Sequence, residues 1–161
     1  MSAIRHGTAP FPVGEVSTGA GNEKLLGLEI QGVDGKEYRL YKSSGAEAAP
    51  ASKCFKRSAA GGTAVEVAGA GDHVCGVAVV GQVALAADDY FWLQVAGEVT
   101  LIKTGTITNP GTGLLLKPAG SAGAVSDSGS TGVDFDPDLP ARCVAVSGTV
   151  VTAYLLQKLM G

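Results

Sequence analysis

The chain has 161 residues and a formal net charge of −3, and charged residues make up only 17% of it. This length fits a single domain that can bury a core without disulfide support, and the acidic balance disfavours direct nucleic-acid binding, which requires a basic footprint. No apolar run is long enough for a membrane helix. A charge content below the usual value of about 25% predicts that other protein subunits cover part of the surface.

The remaining composition points to a β-rich protein that folds in a reducing compartment. The sequence contains 24 glycines, which favour turns and close backbone approaches in β structure. Its three cysteines show no Cys-x-x-Cys spacing and do not indicate a disulfide framework. No apolar stretch follows Arg5 and His6, so we expect no secretory signal peptide.

Residues 1–24 are predicted to form an extended N-terminal arm, followed by a single β domain over residues 25–161. Pro10 and Pro12 favour an extended backbone, and later glycines keep the segment flexible. The arm is either a disordered tail or a segment that reaches a neighbouring subunit. In the second case its apolar residues would bind the partner, namely Ile4, Phe11, Val13 and Val16.

The first predicted element of the domain is a hairpin over Leu25–Lys42. Apolar residues alternate with polar ones on both sides of Asp34-Gly35, a pair that strongly indicates a two-residue β-turn. Because one face of the hairpin is polar, we expect it at the outside of the fold.

The stretch after this hairpin is rich in small residues. A short helix is predicted for Ala51–Ala60, after Pro50, and a short strand for Thr63–Val67. Three basic residues in this stretch form either a solvated face or a surface for an acidic partner: Lys53, Lys56 and Arg57.

The middle of the chain is predicted to form the core. The run Val74–Val80 is apolar on both sides, as in a strand that is covered on both faces. Aromatic and β-branched residues then alternate from Tyr90 to Leu101 on either side of Gly97, which predicts a hairpin that turns at this glycine. The hairpin contains the only tryptophan, Trp92.

The C-terminal third is predicted to contain short strands at 113–117 and 122–126 and further strands at 143–146 and 149–157. The last strand is apolar on both faces, so we expect it in the centre of a sheet or at an interface. The residues assigned to the core hairpin or to a subunit interface are Tyr90, Trp92, Tyr154 and Leu156.

The sequence shows no convincing catalytic or metal-binding pattern. His73 and Cys75 share one strand face, but neighbours on one strand rarely act as base and nucleophile. Asp134, Asp136 and Asp138 resemble the opening of a calcium loop, but the glycine and glutamate that such a loop requires are missing. We therefore expect a binding or structural protein rather than an enzyme, with no cofactor and no metal.

Three segments resemble small head proteins of tailed bacteriophages: AGAGDHVCGVAV, DDYFWLQVAGEVTLI and PARCVAVSGTVVTAYLL. In head decoration (cement) proteins, two aromatic residues, a hydrophobic residue, Gln and a later Gly mark a hairpin, and a late Ala-x-x-Val-Ala leads to the last strand. The resemblance covers residues 68–156. The matching positions are Tyr90, Phe91, Trp92, Leu93, Gln94 and Gly97, then Ala141, Val144 and Ala145.

The resemblance implies a structural virion protein located on the outer surface of a phage capsid. Decoration proteins bind the expanded shell, usually as homotrimers, and clamp neighbouring subunits of the major capsid protein. The implied partners are therefore the phage major capsid protein and further copies of the chain. Direct binding of nucleic acid or membrane is not expected.

Two other functions remain as alternatives. A carbohydrate- or host-binding β module would need Trp92 or Tyr90 exposed as a flat platform, and an enzyme would need a working pair of Cys75 and His73. The predicted fold is all-β, an antiparallel β-sandwich or small β-barrel with an extended N-terminal arm.

Overall fold

The computed structural model describes residues 9–59, 64–107, 115–119, 122–127 and 139–159, and these residues form an all-β fold, as predicted. The only helical element among them is a short 3-10 helix at Ala20–Leu25. The strands are β1 (Val16–Ser17), β2 (Glu29–Gln31), β3 (Glu37–Ser43), β4 (Cys54–Arg57), β5 (Ala64–Val67), β6 (Gly76–Ala78), β7 (Tyr90–Ala96), β8 (Glu98–Ile102), β9 (Leu116–Pro118), β10 (Val125–Asp127), β11 (Ala141–Ser147) and β12 (Val150–Leu155).

Five strands close into a small barrel in the order β3-β7-β6-β4-β5. Every neighbouring pair is antiparallel except β5 and β3, whose parallel pairing closes the ring. Two further short strands pair with members of the ring, β1 with β7 and β2 with β3. Closure removes most of the unpaired edge that an open sheet would expose. Of the two predicted architectures, the small barrel is the one that forms the body.

Large side chains fill the barrel. Phe55 on β4 and Phe91 on β7 are buried and meet edge to face, with ring centroids 5.2 Å apart. Gly76 on β6 leaves room for Leu93 on β7, because a Cβ at this position would lie 2.5 Å from the Cβ of Leu93. Residues 74–78 are all buried, so the predicted covering of both faces is confirmed for them, but Val80 at the end of the predicted run is exposed.

A second, three-stranded sheet in the order β11-β12-β8 packs against the barrel wall. Its inward residues share one apolar core with outward residues of β4 and β6 and with the strand pair β9-β10. Members from the two sides of this core include Cys54 and Val77 from the barrel and Leu101, Val151 and Leu155 from the sheet.

The predicted hairpin around Gly97 is wrong, because β7 and β8 do not pair. β7 is a barrel strand, whereas β8 belongs to the three-stranded sheet, so the chain changes sheets at Gly97, where φ is +90°. The side-chain amide of Gln94 stabilises this corner by donating hydrogen bonds to the carbonyl oxygens of Ala96 (3.1 Å) and Glu98 (2.6 Å). A corner of this kind needs the same alternating residues and the same glycine as a hairpin.

The hairpin at Asp34-Gly35 is confirmed and joins β2 to β3. Its turn is longer than predicted, since Gly32 N donates to Lys36 O (2.8 Å) and three residues lie between them. Gly35 has a φ of +76°, which a residue with a side chain rarely adopts. β3 is largely buried rather than outside, because Tyr41 packs inside the barrel and Tyr38 and Leu40 pack with the N-terminal segment on the other face.

The helix predicted for Ala51–Ala60 is also wrong, because Cys54–Arg57 forms strand β4. The strand predicted at Thr63–Val67 is confirmed over Ala64–Val67, and the last strand is confirmed as β12. The three aspartates that resemble a calcium loop lie outside the described residues.

Candidate functional site

Exposed large hydrophobic side chains mark the candidate interaction surfaces of this chain. Three of those in the described residues lie together on the three-stranded sheet: Tyr154, Val144 and Leu156, which are 53%, 49% and 38% exposed. We call the outer surface of the sheet β11-β12-β8 the C-terminal face. Contiguous apolar surface of this kind is typical of protein interaction sites.

Strand register determines which side chains share the C-terminal face. Arg142 on β11 pairs with Tyr154 on β12, which pairs with Glu98 on β8. Residues directly opposite each other in a sheet project from the same face, so these three side chains form one row across it. In the next row Thr152 pairs with Thr100.

Val144 reaches this face through a β-bulge. The register between β11 and β12 shifts between Cys143 and Ala145, so Val144 is the additional residue and points outward. The local sequence pattern does not indicate an interface role for Val144, Arg142 or Glu98, because it determines neither the bulge nor the register of the strands.

The other apolar sheet face is covered by the N-terminal segment of the same chain. Trp92 and Tyr90 on β7, with Tyr38 and Leu40 on β3, are buried beneath residues that include Phe11 and Val13. The indole N–H of Trp92 donates to the Phe11 carbonyl oxygen (3.2 Å), and the two rings lie 5.8 Å apart.

The structure therefore separates the predicted interface residues into two groups. Tyr90 and Trp92 are core residues, whereas Tyr154 and Leu156 are exposed. Three of the four arm residues are half-buried against the barrel, namely Phe11, Val13 and Val16. Val16 lies in β1 and pairs with Phe91 on β7. Ile4 lies outside the described residues, and partner binding by the arm stays a prediction.

A second exposed apolar area lies next to the packed arm. Val79 contacts the cluster that contains Phe11 and Val13, and the loop that follows exposes Val80 and Val83. We call this loop together with the packed arm the arm-side surface. The loop contributes apolar side chains to this surface, and the arm contributes prolines.

A partly buried network of charges ties the C-terminal segment to the barrel. Lys158 Nζ lies 2.6 Å from a carboxylate oxygen of Glu29 and 2.6 Å from one of Glu37, and Arg39 also pairs with Glu29. Burial alone would raise the pKa of Glu29, but the hydrogen bonds from Lys158 and Arg39 outweigh it and lower this pKa. The network is positioned to hold the fold together rather than to bind a ligand.

The His73 and Cys75 pair does not have the geometry of a catalytic dyad. Cys75 is fully buried, whereas His73 is exposed. Burial raises the pKa of the Cys75 thiol to about 11, so it is protonated at neutral pH and is a poor nucleophile. In the described part of the chain, no three metal-ligating side chains converge, and no helix there has the length and apolar character needed to span a membrane.

The three basic residues near β4 are engaged within the chain. Lys53 pairs with Glu47 (2.9 Å), and Lys56 pairs with Asp72 (3.0 Å). Arg57 lies over the ring of Tyr41, 5.4 Å from its centroid. A polar depression of about 310 Å³ adjoins them, and its lining includes no aromatic platform for a sugar; the lining residues are Lys56, Arg57, Ala59, Glu66, Asp72 and His73.

Comparison with known proteins gives little further information. No protein-family model matches the chain, and no curated protein matches it. Among solved structures, the head fiber gp8.5 N base in bacteriophage phi29 is similar, with a TM-score of 0.49 and 16% sequence identity over 77% of this chain and 97% of that chain. A likeness of this size carries no argument about function.

Proposed function

We propose that this chain is a structural protein of a tailed-bacteriophage virion that binds the outer surface of the capsid and cements neighbouring major-capsid subunits. The observation that carries the proposal is a closed barrel with two separate exposed apolar areas, the arm-side surface and the C-terminal face. A cement protein needs more than one contact surface, because it must hold at least two neighbours at once. The sequence resemblance to head decoration proteins supplies the identity of those neighbours.

The energetics of such a protein suit a small barrel with limited apolar surface. Each contact with the shell can be weak, because identical contacts repeated over a lattice give a large total stabilisation. The net charge of −3 provides no attraction to packaged DNA, which is consistent with a position outside the shell. The homotrimer implied by the resemblance remains part of the proposal and rests on that resemblance alone.

We assign the capsid contact to the arm-side surface. Val80 and Val83 are exposed, and the adjacent arm packs against Trp92 and pairs with β7 through β1. The arm would then contribute to capsid binding from its packed position rather than as a free tail.

The carbohydrate-binding alternative is not supported by a specific observation. It requires Trp92 or Tyr90 on the surface, but these side chains are only 0% and 4% exposed. The exposed Tyr154 lies on an open sheet face rather than in a groove that would enclose a sugar.

Co-sedimentation with matched phage heads that lack the decoration protein tests the proposed function. Deleting residues 1–22 would uncover Trp92, so the variant of choice is V80D/V83D, which changes only exposed positions. V33D is the matched control, because Val33 is exposed at the tip of the β2–β3 hairpin. We expect saturable binding of the unaltered chain and of V33D at a fixed ratio to capsid subunits, and loss of binding for V80D/V83D.

The unaltered chain failing to bind the heads would refute the cement function. Equal binding of V80D/V83D and V33D would instead refute the assignment of the capsid contact to the arm-side surface.

A further inference from the structure

We propose that the C-terminal face is a contact between two copies of this chain, related by a twofold axis that runs parallel to β12. The inference goes beyond the proposed function, since it concerns the free protein. It rests on the arrangement of charges on the face and on the exposure of the residues between them.

The row that contains Tyr154 has opposite charges at its two ends. Arg142 lies on one side of Tyr154 and Glu98 on the other, and both are exposed. Neither side chain has an ion-pair partner within the part of the chain that the structure describes. Elsewhere in the fold, Arg39, Lys53, Lys56 and Lys158 all have carboxylate partners.

This arrangement of charges is self-complementary. A twofold rotation about an axis parallel to β12, lying just above the face, exchanges the β11 side with the β8 side and keeps each residue at its position along the strands. Arg142 of one copy therefore comes to lie over Glu98 of the other copy, and this pairing occurs twice. Tyr154 lies over Tyr154 of the second copy, between the two ion pairs, as in an isologous interface.

The remaining rows are compatible with the same rotation. Thr152 lies over its own copy, and Ala145 comes over Thr100. In the following row Val150 lies over its own copy, and Ser147 comes over Ile102. No like charges are opposed in any of these rows, so the face fits a second copy of itself without any change of sequence.

The size of the face predicts a weak association. Three strands about 4.8 Å apart and six residues of about 3.3 Å each give a footprint of about 14 by 20 Å. This is smaller than a standard stable interface, which buries roughly 800 Å² per partner, so we expect an association that is weak and depends on concentration. Such a contact forms when copies are concentrated side by side, as they are on a lattice.

The twofold contact is distinct from the trimer that the phage resemblance implies. A threefold axis relates two different surfaces of neighbouring copies and would not bring the C-terminal face onto itself. The mass of the self-associated species therefore distinguishes the two assemblies.

Sedimentation of the purified chain over about 5–500 µM tests the inference without any capsid. The single variants R142E and E98R make the two charges of the face alike, so each should self-associate at least about tenfold more weakly than the unaltered chain. A 1:1 mixture of R142E and E98R restores both ion pairs between unlike copies, so it should form mixed dimers as readily as the unaltered chain forms dimers. Y154S should weaken self-association in every background.

The positions changed are exposed, and thermal unfolding of each variant checks that the fold is retained. A reversible dimer that R142E weakens and the mixture restores supports the inference. A chain that stays monomeric at 500 µM, a trimer, or a dimer that none of these variants changes would overturn it. Capsid binding is not measured here, so this result is independent of the cement function.

Discussion

Two strands of this protein carry the same short pattern, an aromatic residue and an apolar residue two positions apart, in very different surroundings. Tyr90 and Trp92 on β7 are buried beneath the N-terminal segment, whereas Tyr154 on β12 and Leu156, directly after this strand, remain exposed. The difference lies in the segment of the polypeptide that packs on each face and not in the strands themselves. A sheet face becomes core when a segment of the same chain covers it, and it becomes a candidate interface when none of the described segments does.

The largest difference between the two faces is expected when Trp92 and Tyr154 are each truncated to alanine. Trp92→Ala removes a fully buried side chain and should lower the free energy of unfolding by about 4 kcal/mol. Tyr154→Ala should change it by about 0.5 kcal/mol or less in the dilute monomer, because its side chain is half-exposed. Urea denaturation measures both values.

Trp92→Phe provides a milder variant should Trp92→Ala fail to fold. It keeps most of the ring but loses the hydrogen bond to the Phe11 carbonyl, so we expect a loss of about 1–2 kcal/mol. Similar losses for the Trp92 and Tyr154 variants would contradict the distinction between a covered and an uncovered face.

The barrel interior should tolerate added volume poorly. Gly76→Ala places a methyl group 2.5 Å from the Cβ of Leu93, which cannot move without its strand, and we expect a loss of about 3 kcal/mol. Gly14→Ala is the matched control, since no atom lies within 4 Å of the new methyl group. Thermal or urea unfolding that ranks the two variants equally would show that the barrel is looser than described.

The charge network of the C-terminal segment should give a smaller effect. Glu29→Gln leaves the nearly buried Arg39 without its carboxylate partner and should cost about 2 kcal/mol. Glu15→Gln, at an exposed position, should be close to neutral. Urea denaturation at pH 7 measures both effects. An equal effect of the two variants would show that the charge network does not stabilise the fold.

The difference in stability between the unaltered chain and Glu29→Gln should also depend on pH. The pKa of Glu29 is lowered in the folded chain relative to the unfolded value of about 4.3. Its stabilising contribution is therefore present above this unfolded value and is lost as the pH falls through the folded pKa. The difference in stability between the unaltered chain and Glu29→Gln should be constant from pH 7 to about pH 5 and should shrink at lower pH. A difference that is independent of pH would mean that the carboxylate charge does not carry the effect.

The smallest expected effect concerns the covering segment itself. Phe11→Ala should cost about 1–2 kcal/mol, because the ring is half-buried against Trp92. Trp92 is the only tryptophan, so its fluorescence should shift to longer wavelength as water gains access. Val83→Ala, on the exposed loop, should leave the fluorescence unchanged. An unchanged spectrum for Phe11→Ala would show that the arm does not cover Trp92 in solution.

Local sequence pattern was sufficient for the fold class and for several elements. Alternation identified β3, β7, β8 and β12, and Asp34-Gly35 identified the first hairpin. These features depend on residues that are close in sequence, where propensity and periodicity determine the structure.

Pairing between distant strands could not be predicted in the same way. Gly97 and its neighbours fit a hairpin and a change of sheet equally well, and only the contacts of β8 with β12 decide between them. In the row of Arg142, Tyr154 and Glu98, Glu98 is more than forty positions from the other two residues, and the register of Arg142 depends on a bulge at Val144 that has no local signature. The candidate site was therefore predicted only at Tyr154 and Leu156.

The pairing of β3 with β7 has a consequence for synthesis of the chain on the ribosome. β3 ends at Ser43 and its antiparallel neighbour β7 begins at Tyr90, so the nascent polypeptide holds β3 without this neighbour for about forty-five residues. At about 5–20 residues per second this interval lasts roughly 2–10 s. Slower translation lengthens it and faster translation shortens it, so the yield of soluble protein should depend on elongation rate across this stretch more than on codons near either terminus.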